Sequence, residues 1–283
     1  MPETSAEASL PDLPLLGADD PAPAALVNGD GAAAALLICD HASNHIPAAL
    51  GTLGLDETQL ARHIAFDIGA AEVTRQLAER LDAPAVLSGF SRLVVDPNRT
   101  LEAPSLIPDV SDGVPIPGNR DLLPAARRAR MESLHAVYHR EVDAALERLS
   151  RKAALKQPDG APVMVSIHSF TPVMDGVERP WHVGILWNRD ARMPVPLMAR
   201  LRALGLEVGD NLPYSGRDKH GYSLHRHADP RGLANALIEI RQDLIDTHHG
   251  ASEWAALLAG PLSEILADPG LYRRAGSEGP SVS

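Results

Sequence analysis

"LLICDHASNHIP", residues Leu36 to Pro47, decides how the rest of the chain is read. Leu36–Cys39 is an unbroken apolar run. It is too short for a helix and lacks the alternation of a half-exposed strand, so it marks a strand buried on both faces. The run stops at Asp40-His41, and His45 follows just before a proline. A strand buried on both faces belongs to a sheet sandwiched between helices. In such sheets, ligands bind beyond the carboxyl ends of the strands, where Asp40 and His41 stand.

Working outward, the same reading recurs. "APAVLSG", "SRLVVD", "PVMVSIHSF", "WHVGILWN" and the first half of "LANALIEIRQDLI" are short apolar or β-branched runs that predict strands. Between them lie runs of helical period. "DETQLARHIAFDIGAAEVTRQLAERL" has Asp56 placed as an N-cap, and a long helix follows Pro124. "PVPLMARLRALGL" and "GASEWAALLAGPLSEILADP" complete the set. Alternating strands and helices predict an α/β fold, a three-layer α/β/α sandwich around a mixed, largely parallel sheet. Residues 1–25, rich in Pro, Ala, Asp and Glu, read as a flexible N-terminal arm, and 276–283 as a flexible tail. A single domain is expected over 26–275.

The chain has 283 residues, 45% of them apolar, which is enough for a sizeable core. Its formal net charge of −11 argues against a nucleic-acid binder and against a basic face for anionic lipid. The single cysteine, Cys39, precludes an internal disulfide and reads as a small buried hydrophobe. No apolar run is long enough to span a bilayer, and the acidic N-terminus has no secretory pattern, so a soluble cytoplasmic protein is expected.

The polar residues at the predicted strand ends are the chemistry-bearing ones. They are Asp40 and His41; Arg92, Asp96, Asn98 and Arg99; His168; and Glu239 with Arg241. If these ends share an edge, they have the composition of a metal or acid–base site. Each also has a plainer reading. A histidine after a strand can simply bond a loop, and Glu239, between Ile238 and Ile240, can be ion-paired with Arg92, Arg99 or Arg241. Asp67 lies four residues after His63 on the same predicted helix face. "SGRDKHGYSLHRHADPRG" is too long for a plain turn and reads as a lid or binding loop, with His225 expected at the substrate. "SDGVPIPGN" is a second loop expected to border the site. No P-loop, GxGxxG, HExxH or GxSxG motif is present.

Taken together, "CDHASNHIP", "FDIGA", "SRLVVDPNR", "VSIHSF" and "IEIRQDLI" resemble the N-formylglutamate amidohydrolase family over most of the chain. The resemblance implies a fold like that of the zinc carboxypeptidases and aminoacylases, of the phosphorylase/hydrolase-like kind. It also implies a zinc-dependent hydrolase that cleaves the amide of an N-acyl amino acid, N-formylglutamate or a related acidic one. His41 and His168 then correspond to two zinc ligands. The carboxypeptidase relatives have a glutamate ligand where Asn44 stands here, so the third ligand is expected to be Asp67, with Asp96 as the alternative. Asn98 and Arg99 correspond to a pair gripping the substrate α-carboxylate, and Glu239 to the general base. Arg92 or Arg99 is expected to stabilise the oxyanion, and the remaining one of these or Arg241 to bind a carboxylate. The partner is a small anionic substrate, with a homo-oligomer allowed. The alternative is a non-catalytic or metal-free module that binds small carboxylated ligands.

Overall fold

A computed structural model describes residues 14–156, 160–217 and 221–275. The strands are β1 (Ala24–Val27), β2 (Ala35–Cys39), β3 (Ala85–Ser88), β4 (Val110–Ser111), β5 (Val114–Pro115), β6 (Val163–Phe170), β7 (Val173–Met174), β8 (Val177–Glu178), β9 (Val183–Leu186), β10 (Val208–Asp210) and β11 (Asn235–Arg241). The helices are α1 (Glu57–Leu60), α2 (Ala70–Arg80), α3 (Pro124–Arg130), α4 (Ala136–Lys156), α5 (Pro194–Ala203), α6 (Tyr222–His227) and α7 (His248–Leu266).

Seven strands form one sheet in the order β1-β3-β2-β6-β11-β9-β10. The central β3, β2, β6 and β11 run parallel, while β1 and β9 join them antiparallel. Every residue of β2 and β6 is buried, as expected of interior parallel strands covered on both faces. Alternation sorts their side chains. Leu37, Ile167 and Ile238 face a layer containing α2, α5 and α7. Leu36, Ile38, Met164 and Leu237 face α4 and α6. The expected three-layer sandwich with a mixed, mostly parallel sheet is the observed one. Among the described residues, no helix is long and apolar enough to cross a membrane.

Two local expectations give way. "SRLVVD" is not a strand. Its Leu93, Val94 and Val95 plug a third apolar cluster with Ile46, Leu106 and Ile116, and its backbone is satisfied by turns and by Ala65 and His45 carbonyls. The run after Asp56 is not one helix. Asp56 does cap α1, in a reciprocal capping box with Gln59, but α1 ends at Leu60 and the chain is irregular until Gly69 starts α2. The long helix after Pro124 is present, with a π-helical segment at Met131–His135 between α3 and α4.

Of the arm expected over residues 1–25, the first thirteen lie outside the described residues, as does the whole 276–283 tail. Within the described part, Leu15 and Leu16 pack on the third cluster. Asp20 accepts from the Ala48 N–H at 3.1 Å and pairs with His45 at 3.1 Å.

Candidate active site

The carboxyl ends of the four parallel strands meet at one edge of the sheet, and the ionisable residues gather there. Leaving β2, the chain passes through Asp40 and His41. The His41 carbonyl accepts from the Asp67 N–H at 3.0 Å, which draws the irregular segment before α2 back over the strand end. Gly69 makes that return possible. It sits at φ +79°, and a Cβ there would lie 2.1 Å from the Ile245 carbonyl oxygen. His168 comes from β6 and Glu239 from β11. The two are register partners on adjacent parallel strands, so their side chains leave the same face side by side.

His41, Asp67 and His168 form a group whose ligand atoms lie within 4.8 Å of one another. Both imidazoles turn Nδ1 toward Asp67 Oδ2, at 3.2 Å from His41 and 2.7 Å from His168. Their opposite nitrogens are held by two further buried carboxylates, His41 Nε2 by Asp96 at 2.8 Å and His168 Nε2 by Asp40 at 3.1 Å. Asp40 is itself fixed by the Ser223 hydroxyl at 2.7 Å. Carboxylates behind imidazoles are how proteins orient metal-binding histidines and raise their basicity. The donor set therefore fits a divalent ion: two imidazole nitrogens and a carboxylate converge, with excess negative charge around them. Asn44 is not among them. Its amide donates to the Leu60 carbonyl at the surface, and the carboxylate grouped with the two histidines is that of Asp67.

The electrostatics follow from burial and pairing. Burial alone would raise the Asp40 carboxyl, but the hydrogen bond and charge of His168 outweigh it and hold it at about 2. Burial of Asp67 and Asp96 is likewise outweighed, by both histidines for Asp67 and by His41 and Arg92 for Asp96, so both lie far below the usual range. His168 is raised well above its ordinary value, because Asp40 and Asp67 overcome its desolvation. Glu239 behaves oppositely. Burial raises it, the histidines only partly offset this, and it settles at about 7. Its Oε2 is buried without a hydrogen-bond partner among the described residues.

A cavity of about 140 Å³ opens over this group, lined by His41, Asp67, His168, Arg92, Asn98, Arg99, Tyr214 and Glu239 among others. A second cavity of about 300 Å³ shares Arg92, Arg99, His63 and Tyr214 with it and reaches Asp112 of the "SDGVPIPGN" loop, which borders the cleft. Arg92 is braced by Asp67 at 3.3 Å and Asp96 at 3.2 Å. The Asn98 side-chain oxygen accepts from the Ser223 N–H at 3.1 Å, leaving its amide nitrogen as the group to offer a ligand. Two histidines of the long helix pin this loop from below: His135 bonds the Arg99 carbonyl at 3.0 Å and His139 the Pro97 carbonyl at 2.9 Å. His139 in turn contacts His227 at 2.8 Å, and burial together with neighbouring His135 and His227 depresses it to about 2.

Two residues expected at the substrate do not line this cavity. Arg241 is the last residue of β11, and its guanidinium folds back on Asp243 two residues on, at 2.8 and 3.2 Å. His225 sits on α6 and pairs with Asp229 one helical turn later, at 2.7 Å. The loop expected as a lid is thus partly helical, while residues 218–220 lie outside the described residues. Sequence reasoning missed Tyr214 and Thr171 in the cavity wall, and also the His135, His139 and His227 support. Of these, only His135 and His139 carried a signal, their spacing of four along the predicted helix.

A family model described as FGase, N-formylglutamate amidohydrolase, matches residues 33–246. Among solved structures, a gene product of Agrobacterium tumefaciens is 38% identical, with a TM-score of 0.84; the match covers 89% of this chain and 98% of that one. N-formylglutamate amidohydrolase from Ralstonia eutropha JMP134 is 19% identical, with a TM-score of 0.60 over 87% of this chain and 96% of that one, a likeness of fold. No curated protein matches.

Proposed function

The chain belongs to the N-formylglutamate amidohydrolase family, hydrolases of a carbon–nitrogen bond, and on that premise we propose that it is a zinc-dependent enzyme deacylating an acidic N-acyl amino acid, N-formylglutamate first among them. The observation that carries this reading is the convergence of His41 Nδ1, His168 Nδ1 and an Asp67 oxygen beside the buried Glu239, whose Oε2 has no hydrogen-bond partner among the described residues. Three nitrogen and oxygen donors with room for a further ligand suit catalytic zinc. When bound, the ion supplies Lewis acidity, polarising the scissile carbonyl and making water more acidic.

The chain's own residues do the rest. Glu239, near neutrality at about 7, accepts a proton from the attacking water and returns it to the leaving nitrogen, so water adds across the amide to give the free acid and the amine. Arg92, held rigid by Asp67 and Asp96, faces the cavity as a fixed cation for the developing oxyanion. Asn98 and Arg99 receive the substrate α-carboxylate, with Arg99 steadied by Ser105 at 3.2 Å. Asp40 and Asp96 hold the histidines in the ligating orientation.

The test pairs metal analysis with hydrolysis of a panel of N-acyl amino acids. Purified protein should carry zinc and lose turnover on chelation. His41→Ala and His168→Ala should lose both metal and activity. Glu239→Gln should keep the metal while turnover falls roughly 10²- to 10⁴-fold. Full activity after exhaustive chelation would remove the metal from the proposal, and failure to hydrolyse any member of the panel would sink the reading itself.

A further inference from the structure

We infer that Arg179 determines specificity at this site: its guanidinium receives the second carboxylate of a dicarboxylic N-acyl amino acid. The inference rests on the amidohydrolase reading for what the rest of the substrate is, and on geometry for where its second charge goes.

Arg179 is placed by a tight hairpin. After His168, β6 ends at Phe170, and β7 and β8 follow as a two-stranded flap. The turn between them is Asp175-Gly176, both at positive φ (50° and 75°), the conformation that lets a two-residue turn match the twist of its strands. The Arg179 N–H closes the base of the flap on the Pro172 carbonyl at 2.8 Å. Arg179 is thereby returned beside the strand end that carries His168.

Its side chain then lies against the cavity wall. One guanidinium nitrogen donates to the Thr171 hydroxyl at 3.2 Å and to the Tyr214 hydroxyl at 3.1 Å. The guanidinium carbon stands 5.0 Å from the Tyr214 ring centre and 6.0 Å from that of Phe170. Phe170, Thr171 and Tyr214 all line the cavity. Aromatic faces and hydroxyls steady a cation without neutralising it.

The contrast with the other arginines is the central point. Arg92 is shared between two carboxylates, and Arg99 has Asp96 4.0 Å from its Nε. Among the described residues, no carboxylate lies within ion-pair distance of Arg179, whose contacts are hydroxyls and rings. A half-buried, preoriented guanidinium with no counter-ion beside a small polar cavity is built to take an anion, and its planar fork matches a carboxylate. With one substrate carboxylate at Asn98 and Arg99 and the amide over His41, His168 and Glu239, the substrate side chain is left to run toward Tyr214 and Arg179. Arg241, tied to Asp243, is not available for that charge.

The test compares ligands that differ only in that charge. Binding of glutarate and of its monoamide to the full-length, zinc-loaded protein is measured by calorimetry, alongside turnover of N-formylglutamate and N-formylglutamine. The unmodified protein should prefer the dicarboxylate roughly 10- to 100-fold, the worth of a hydrogen-bonded ion pair. In Arg179→Met that preference should fall to within about threefold, and Arg179→Lys should keep part of it. Circular dichroism melts confirm that both variants are folded, and Arg179→Lys serves should Arg179→Met fail to fold. An unchanged preference in Arg179→Met, equal weakening of both ligands, or no preference in the unmodified protein would each overturn the assignment. If neither formyl compound is turned over, the amidohydrolase reading fails, and the binding ratio still decides the role of Arg179.

Discussion

Glu239 is the residue in the site that folding places against its own preference. Its carboxyl rises from 4.5 to about 7 because burial disfavours the charge. Between those values the folded chain keeps a proton that the unfolded chain releases, so stability is intact below pH 4.5 and declines as pH rises through about 7. Metal-free Glu239→Gln, which cannot ionise, should match the parent at low pH and exceed it by about 2–3 kcal/mol near pH 8, read by urea denaturation at each pH. Equal stability at both pH values would mean that Glu239 is not desolvated. The residue was legible because a carboxylate between two isoleucines in a buried strand demands an explanation, and His41 and His168 stood out for the same reason. Arg241 lies in the same apolar run, but at the strand's last position, where its guanidinium reaches the local partner Asp243. Arg179 and Tyr214 gave no such signal, since both sit in short polar connections where charged and aromatic residues are ordinary.

At the scale of elements, strands with uniform burial were readable and irregular segments were not. "SRLVVD" has strand composition, yet its apolar residues are buried as a loop plug, because ladder hydrogen bonds were replaced by turns and by carbonyls from elsewhere in the chain. Periodicity cannot see that substitution. The segment before α2 similarly kept helical spacing but was bent at Gly69 by the need to bring Asp67 to His41. Gly69→Ala should therefore be costly, since both the positive φ and a Cβ 2.1 Å from the Ile245 oxygen oppose it. A loss of about 3 kcal/mol or more is expected, with an unchanged denaturant slope, and zinc affinity should fall with it as Asp67 is displaced. A loss under about 1 kcal/mol would show that the turn yields easily.

Across the whole molecule, the layered α/β architecture followed from the alternation of buried strands and amphipathic helices, and the gathering of Asp40, His41, His168 and Glu239 at one edge followed from the rule that ligands sit at carboxyl strand ends. The flanking hairpins and the histidine support beneath the Pro97 loop did not, because they depend on contacts between segments far apart in the chain. The folded state gathers three depressed carboxylates and a raised histidine. The stabilisation from Asp40, Asp67 and Asp96 is present above their ordinary 3.8 and is lost as pH falls toward their lowered values. That from His168 is present below 6.5 and is lost as pH rises through its raised value. Zinc bound as proposed would compete with protons for the same imidazole nitrogens. Its stabilisation, about 2.7 kcal/mol at a hundredfold excess over Kd, should thus be larger near pH 8 than near pH 5. Thermal melts with and without zinc check this, and equal increments at both pH values would contradict it. The pairing of His168 with Glu239 on neighbouring strands has a further consequence. A one-residue insertion in either strand would flip its side chain to the opposite layer, whereas the β7–β8 flap can lengthen or shorten without disturbing the sheet. On the proposed roles, reaction and substrate choice therefore rest on parts of the chain that can change at different speeds: the flap can drift while the spacing of Glu239 and His168 is inherited unaltered.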